Sequence, residues 1–144
     1  MVKKGFSLIE LLVVLLIIGI ITTIAYPSYR EYITRARRSD GQAALLNLAS
    51  RMERHYSEHN TYQTATIGTG KSTDVLSSNA SPEGWYVIAI TSATESNFTL
   101  RATPVRAQAT SDTRCQALTL NSLGVKGITA GPGGTPTGTA AQCW

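Results

Sequence analysis

The chain has 144 residues, which is enough for one small domain and too few for two. Its hydrophobic content of 42% is ordinary, but much of it lies near the N-terminus, before a sequence rich in Thr, Ser, Ala and Gly. Without Lys3 and Lys4, 11 of the 13 basic residues remain against 9 acidic ones, so the formal charge falls from +4 to +2. The basic balance is therefore no evidence by itself for nucleic-acid binding. The composition predicts a membrane-length segment joined to a small soluble domain.

Residues 6–26 form an apolar run in which Glu10 is the one charged residue. A helix from Phe6 to Tyr29 would be about 36 Å long, which is enough to cross the core of a bilayer. No small-residue cleavage site follows the run, which argues against a secretory signal peptide. The rest of the chain is too small to bury such a helix on all sides. The basic residues before the run predict a cytoplasmic N-terminus and a soluble domain across the membrane.

Glu10 lies well inside the apolar run, where a carboxylate costs about 2.5–3.5 kcal/mol on insertion into a membrane. A charge in such a place usually has a partner and a purpose, which argues against a plain membrane anchor. Because no cation lies near Glu10 in the same segment, we expect its partner on another chain.

The residues from Lys3 to Glu10 read KKGFSLIE and resemble the leader-peptidase and N-methylation motif of type IV pilins and type II secretion pseudopilins. The resemblance implies that a prepilin peptidase cleaves between Gly5 and Phe6 on the cytoplasmic side and methylates the new amine of Phe6. Glu10 then becomes the fifth residue of the mature chain, where the family has its glutamate. In a bundle of staggered identical helices, Glu10 of one subunit can neutralise the Phe6 amine of its neighbour.

The resemblance also implies the organisation of the chain, its partners and its location. Residues 1–5 are the expected leader peptide, residues 6–29 the transmembrane and filament-core helix, and residues 30–144 the soluble head with the second half of the helix. The expected partners are other pilin subunits, the prepilin peptidase, the inner-membrane assembly machinery and, before assembly, the membrane. The expected location is the bacterial inner membrane, followed by the extracellular pilus.

Beyond the apolar run the sequence predicts more helix. Pro27 removes a backbone donor and predicts a kink, and pilin helices resemble this in bending at a proline and partly unwinding in the filament. Apolar residues at helical spacing then predict a face packed on a sheet, in a helix that runs to about Tyr56. This stripe consists of Leu45, Leu48, Ala49, Met52 and Tyr56. The arginines at 30, 35, 37, 38, 51 and 54 are expected on the other faces.

The rest of the chain predicts a small antiparallel sheet. Residues 57–84 show little periodicity and predict a long surface loop. Strands are predicted over residues 85–91, 97–103 and 117–121, with turns at residues 92–96 and 122–124. The predicted fold class is α+β, a type IV pilin fold in which a long N-terminal helix packs on the sheet.

The two cysteines, Cys115 and Cys143, are expected to form a disulfide, because an exported chain meets an oxidising compartment. The bond would close the Gly-, Pro- and Thr-rich residues 127–142, which could not hold a fixed shape alone. Loop-closure entropy puts its stabilisation at about 3–4 kcal/mol. The family has a similar disulfide-bounded loop near its C-terminus, which often carries variable surface function.

The sequence around Cys115 and the ending Cys143-Trp144 resemble PilE-type minor pilins and ComP-type competence pilins. The resulting prediction is a structural subunit, with a minor pilin favoured and a DNA-binding competence pilin, a major pilin or a secretion pseudopilin as alternatives. DNA binding would need clustered cations, and the candidates in the sheet and disulfide region are Arg101, Arg106, Arg114 and Lys126. Ordinary solvated surface charge is the competing interpretation of these four residues.

No arrangement in the sequence indicates catalysis or a cofactor. There is no nucleophile beside a base and no phosphate loop, so we expect a protein that is not an enzyme. His55 and His59 have a spacing that occurs in zinc sites, but no further ligand joins them, and a solvated helix end is expected instead. No metal and no cofactor are predicted.

Overall fold

The structure, a computed structural model, describes residues 5–144. Lys3 and Lys4 of the predicted leader lie outside the described residues. The described part contains three helices and six strands in the order α1, β1, β2, β3, β4, α2, β5, β6, α3. Their bounds are α1 Leu8–His59, β1 Thr66–Ile67, β2 Asp74–Leu76, β3 Tyr86–Ala93, β4 Phe98–Pro104, α2 Arg106–Ser111, β5 Ala117–Asn121, β6 Lys126–Thr129 and α3 Ala140–Cys143.

The contacts divide the chain into two units, of which the first ends at Ile33 and the second is Thr34–Trp144. The first unit is the N-terminal part of α1, and its helix is continuous through Gly19 and Pro27. The hydroxyl groups of two threonines in this apolar stretch donate hydrogen bonds to backbone carbonyls of the same helix. Thr22 Oγ1 donates to the Ile18 carbonyl at 3.0 Å. This bonding lets a polar side chain sit in an apolar segment without an unpaired donor.

The second unit, here called the head, packs one face of α1 on a four-stranded antiparallel sheet of order β3-β4-β5-β6. Leu45, Leu48 and Met52 of the helix are completely buried, as the stripe in the sequence predicted. Ala49 and Tyr56 of the same stripe are half-buried at its edges. Strands β1 and β2 form a separate parallel pair.

The sheet turns alternate residues of each strand toward the helix. In β4 the buried side chains are Phe98, Leu100, Ala102 and Pro104, and the residues between them face outward. Leu100 lies opposite Leu120 of β5, so the buried rows are continuous across the strands. Fully burying such side chains stabilises the fold by about 1.5–3 kcal/mol each, which makes this layer the main source of head stability.

Tyr86 is the largest fully buried side chain, and it packs directly on Gly41 of α1. A Cβ built on Gly41 would lie 2.8 Å from the Tyr86 ring, closer than real contacts allow. The helix and the sheet therefore approach each other closely at this point because residue 41 has no side chain.

The structure extends the sequence prediction in five places. Helix α1 ends at His59, three residues beyond the predicted end. The predicted loop 57–84 contains the short strands β1 and β2. Helices α2 and α3 and strand β6 were not predicted, because each is short and is fixed by contacts distant in sequence, which a local pattern does not report.

Gly41→Ala should lower the free energy of unfolding of the head by about 1–3 kcal/mol, because the added methyl group must displace the Tyr86 ring. The measurement is chemical denaturation of the full chain in nonionic detergent, followed by tryptophan fluorescence. Both tryptophans, Trp85 and Trp144, lie in the head, so the signal reports that unit.

Gly19→Ala is the matched control, since a Cβ at Gly19 would meet no atom of the described residues within 4 Å. It should leave the head transition unchanged. Equal transitions for the Gly41→Ala chain and the unmodified chain would show that the close approach at Tyr86 is not a constraint.

Candidate functional site

The N-terminal part of α1 exposes an apolar surface of a kind that soluble domains do not carry. Its large apolar side chains are exposed throughout, from 80% at Leu8 to 45% at Val14. The helix is long and apolar enough to cross a membrane, by length and composition. A contiguous exposed apolar surface of this kind marks a site that contacts a membrane or another protein.

The residues of the predicted processing motif lie where α1 begins. Gly5 and Phe6 precede the first helical residue, Leu8. A Cβ at Gly5 would meet nothing within 4 Å, so the described structure gives no steric reason for glycine there. Glu10 lies in the first turn of the helix, exposed, where a carboxylate favours the helix dipole.

At the other end of the chain, the cysteines are joined as predicted. Cys115 and Cys143 form a disulfide with a Cα–Cα distance of 5.5 Å, and both are almost completely buried. Gln42 of α1 donates its side-chain amide to the Cys143 carbonyl at 2.8 Å. Cys143 is therefore joined to the segment just before β5 by the disulfide and to α1 by a hydrogen bond.

Gln116, next to the disulfide, organises the loop that the bond closes. The side chain is completely buried, with a carbonyl that accepts from the Gly133 backbone N–H at 2.9 Å. Its amide donates to the Asp112 carbonyl at 2.9 Å and to the Ala109 carbonyl at 3.2 Å. One buried amide thus gives a defined shape to a Gly- and Pro-rich segment.

A buried ion pair joins α1 to the region before the disulfide. Arg38 donates from Nε and from one terminal nitrogen to the two carboxylate oxygens of Asp112, at 2.9 and 2.7 Å. Gln108 and Tyr86 also contact this carboxylate. Burial above all, together with the nearby Asp112 carboxylate, raises the pKa of Tyr86, so its hydroxyl stays protonated. Arg38 was expected on a face other than the packed one, which was wrong, since it is buried and its partner is 74 residues away in sequence.

A second buried carboxylate, Asp40, holds the turn that leads into β3. It accepts from the Ser81 hydroxyl at 2.5 Å and from the Glu83 backbone N–H at 3.1 Å. Sequence reasoning missed this residue. The available signal was the adjacent pair Asp40-Gly41, since both residue types are poor helix formers in the middle of a long helix.

The four candidate DNA-binding cations do not form one patch. Arg101 is half-buried in the outer row of the sheet, in register with Thr119, and donates to the Ala130 carbonyl. Lys126 is in register with the buried Leu120, in the other row, and its ammonium lies 5.1 Å from the centre of the Trp144 ring.

The other two candidates lie at different loops. Arg106 begins α2 with a left-handed backbone (φ 54°), and its guanidinium lies beside Gly84. Arg114 is exposed and directly precedes the disulfide. The structure thus spreads the four cations over the two sheet faces and two loops.

Two family models match the chain. "Prokaryotic N-terminal methylation motif" matches residues 1–26, and "Type IV minor pilin ComP, DNA uptake sequence receptor" matches residues 27–119. The long helix, the antiparallel sheet and the disulfide-closed C-terminus define the class as type IV pilin. Within that class the chain belongs to the family of type IV minor pilins described by the ComP model.

Curated relatives are also pilins. The chain is 33% identical to a fimbrial protein of Neisseria meningitidis serogroup A over 75 residues, which are 51% of this chain and 44% of the relative. It is 32% identical to the type IV major pilin protein PilE of Neisseria gonorrhoeae over 85 residues, 59% of this chain and 48% of that protein. The matched regions thus span less than half the length of these relatives.

A solved structure supports the fold. The non-core minor pilin PilV of Neisseria meningitidis superposes with a TM-score of 0.51 at 23% identity, covering 74% of this chain and 97% of that one. At this identity the likeness concerns the fold alone. The predictions of the pilin family and the pilin fold are confirmed.

Asp112→Asn should destabilise the head by about 3–5 kcal/mol, because it leaves the Arg38 guanidinium buried without its counter-charge. Adding Arg38→Met to that variant should restore most of the lost stability, since the buried charge is then gone. Tryptophan fluorescence in denaturant measures both variants.

Glu95→Gln, an exposed carboxylate in the turn between β3 and β4, is the control and should change stability by no more than about 0.5 kcal/mol. Additive losses from the Arg38 and Asp112 substitutions would contradict direct coupling between the two residues.

Proposed function

We propose that this chain is a minor subunit of a bacterial type IV pilus and assembles through the N-terminal part of α1. The observation that carries the proposal is the continuous apolar surface of this helix segment, exposed from Phe6 onward and interrupted by one carboxylate. Membership of a minor pilin family supports it. Lipid covers the surface before assembly, and the helices of other pilins cover it in the filament.

Maturation precedes assembly in this proposal. The prepilin peptidase cuts between Gly5 and Phe6 at the cytoplasmic face of the inner membrane and methylates the Phe6 amine. The match to the N-terminal methylation motif supports this step. The open space around Gly5 is consistent with a glycine that is required by the peptidase, because the described residues place nothing near it.

Glu10 then aligns one subunit with the next. The new α-amino group is a cation at the end of an apolar helix, and Glu10 lies one turn further along with its carboxylate exposed. Pairing Glu10 with the Phe6 amine of a neighbour compensates two charges that would otherwise be unpaired in an apolar bundle. The pair also selects one axial stagger between subunits, because other offsets leave both charges without a partner.

Mass spectrometry of the chain from filaments should show loss of residues 1–5 and one methyl group on Phe6. Gly5→Leu should leave the leader attached and keep the chain out of filaments. A minor subunit should also be a small fraction of the pilins in sheared filaments. An intact leader on the chain in assembled filaments would contradict the maturation step.

Glu10→Ala should leave membrane insertion intact and reduce incorporation into filaments when the variant competes with the unmodified chain. The expected loss is about 10-fold, which corresponds to a charge-assisted contact of about 1.4 kcal/mol. Glu95→Gln in the head is the matched control and should incorporate normally. Equal incorporation of the Glu10→Ala and unmodified chains would show that the carboxylate has another use.

A second candidate function is DNA binding by the head, favoured by the description of the matching family as a DNA uptake sequence receptor. Under this proposal, exposed cations meet backbone phosphates. Arg106, Arg114 and Lys126 are exposed, whereas Arg101 is half-buried and bonded to the Ala130 carbonyl. The spread of these cations favours an extended contact over a single pocket.

The full chain in nonionic detergent should bind duplex DNA with an affinity that falls as salt rises. Replacing Arg106, Arg114 and Lys126 with Gln should reduce the slope of log K against log salt by about 0.9 for each phosphate that is no longer neutralised. Fluorescence anisotropy of a labelled duplex measures both effects. Absence of binding at low salt would remove DNA binding and leave the assembly function.

A further inference from the structure

A polar cleft of about 290 Å³ lies between the C-terminal turns of α1 and the segment around β2. Neither the apolar assembly surface nor the four candidate DNA-binding cations belong to it. Both walls belong to the head. The helix wall contributes Arg51, Arg54, His55, Glu58 and His59, and the opposite wall contributes Asp74.

Two guanidinium groups line this cleft, and they differ in how they are held. Arg51 is fixed across it, since Nε donates to Asn47 Oδ1 at 2.9 Å and one terminal nitrogen donates to the Val75 carbonyl at 3.3 Å. Arg54 is exposed and, among the residues that the structure describes, forms no hydrogen bond or ion pair. The cleft therefore holds one preorganised guanidinium and one with all its donors available.

A pair of imidazole rings lies beside the arginines. The rings of His55 and His59 stack with their centres 4.2 Å apart. His55 is buried, and its Nε2 bonds to the Thr64 hydroxyl at 2.9 Å. Burial, and then the neighbouring His59, lower the pKa of His55, so that this ring stays neutral.

His59 is exposed, and its Nδ1 lies 3.1 Å from the His55 carbonyl. Because a carbonyl can only accept, Nδ1 must carry the hydrogen, which leaves Nε2 open. That nitrogen can accept from a protonated oxygen of a ligand or, once protonated, donate to an ionised one.

The two carboxylates of the cleft differ in their hydrogen bonding and exposure. Asp74 is turned to its own loop, where it accepts from the hydroxyls of Thr66 and Thr69 at 2.7 Å each and from the Thr69 and Gly70 backbone N–H groups. The hydrogen bonds, led by that from Thr66, lower the pKa of Asp74 to about 2. Its negative charge is thus already compensated by donors. Glu58 is exposed, four residues after Arg54 on the same helix.

From this arrangement we propose that the cleft binds a phosphate group. Guanidinium groups present paired donors that match the oxygens of a phosphate, and the open nitrogen of His59 adds a third contact. The volume suits one phosphate with a small substituent. The group can belong to free phosphate or to the backbone of DNA, and the site does not depend on whether the head is a DNA receptor.

The chain contains two histidines, both at this cleft, so their ring signals in NMR report the site without interference. The experiment uses the full chain with labelled histidine in nonionic detergent, titrated with sodium phosphate and, separately, with sodium chloride at the same ionic strength. Phosphate should shift the His59 ring signals in a saturable manner, whereas chloride should not. Identical responses to the two salts would overturn the proposal.

Charge variants provide the specificity test. Arg54→Gln should weaken phosphate binding by about 10-fold, as expected for removal of one charge-assisted hydrogen bond. Glu58→Gln should strengthen binding, because it removes a repulsive charge, and a merely structural role of this helix end would not predict such a gain. Arg37→Gln removes the same charge about 25 Å away along α1, together with a stacking contact on the Trp85 ring, and the folded variant should bind phosphate normally. Equal losses in Arg54→Gln and Arg37→Gln would also overturn the proposal.

A duplex titration of the same variants identifies the source of the phosphate. Loss of DNA affinity in Arg54→Gln, in parallel with phosphate affinity, assigns the cleft to the DNA backbone. Loss of phosphate affinity with unchanged DNA binding assigns it to free phosphate. If the unmodified chain binds phosphate but not DNA, the DNA-receptor function fails while the phosphate site stands.

Discussion

The head depends on the buried pair of Arg38 and Asp112. Neither charge would be stable there alone, because the desolvation of each is offset by the other and by surrounding hydrogen bonds. Asp112 also accepts from the Cys115 backbone N–H at 3.3 Å, and its own carbonyl accepts from Gln116. The ion pair therefore ties the helix to the segment that enters the disulfide and β5.

This link between the helix and the disulfide region helps to explain how a Gly- and Pro-rich segment forms a defined surface. The disulfide limits the length of free chain, and the buried amide of Gln116 fixes its path. The Trp144 indole donates to the Gly127 carbonyl at 3.0 Å, so that one carbonyl of the edge strand β6 is hydrogen-bonded to this segment. Covalent closure and polar contacts replace the apolar packing that this segment cannot supply.

The sequence was sufficient to predict the helix face and the strands whose local pattern coincides with a packing surface. The stripe around Leu48 predicted the buried helix face, and alternation predicted β3, β4 and β5 to within two residues. Prediction from the sequence failed where contacts between distant residues determine the position of a side chain or a strand. In the sequence Arg38 looks like the other arginines of α1, and β6 has too little apolar character to show alternation. At the candidate binding sites, the sequence identified cations but not their neighbours, so it did not predict that Arg54 and His59 share a cleft while Arg101 and Lys126 lie in different rows of the sheet.

The hydrogen bond from Gln42 to the Cys143 carbonyl has a consequence for the order of folding. It joins residues 101 positions apart, and the ion pair spans 74, so both polar contacts link α1 to segments that are distant in sequence. Contacts of such sequence separation form late, because a long loop must close before they contribute. During synthesis, these two contacts of α1 therefore form only after Asp112 and Cys143 have been made. A chain that stops before Cys143 would lose both the disulfide and the hydrogen bond from Gln42, so the segment after β6 would no longer be held to the rest of the head.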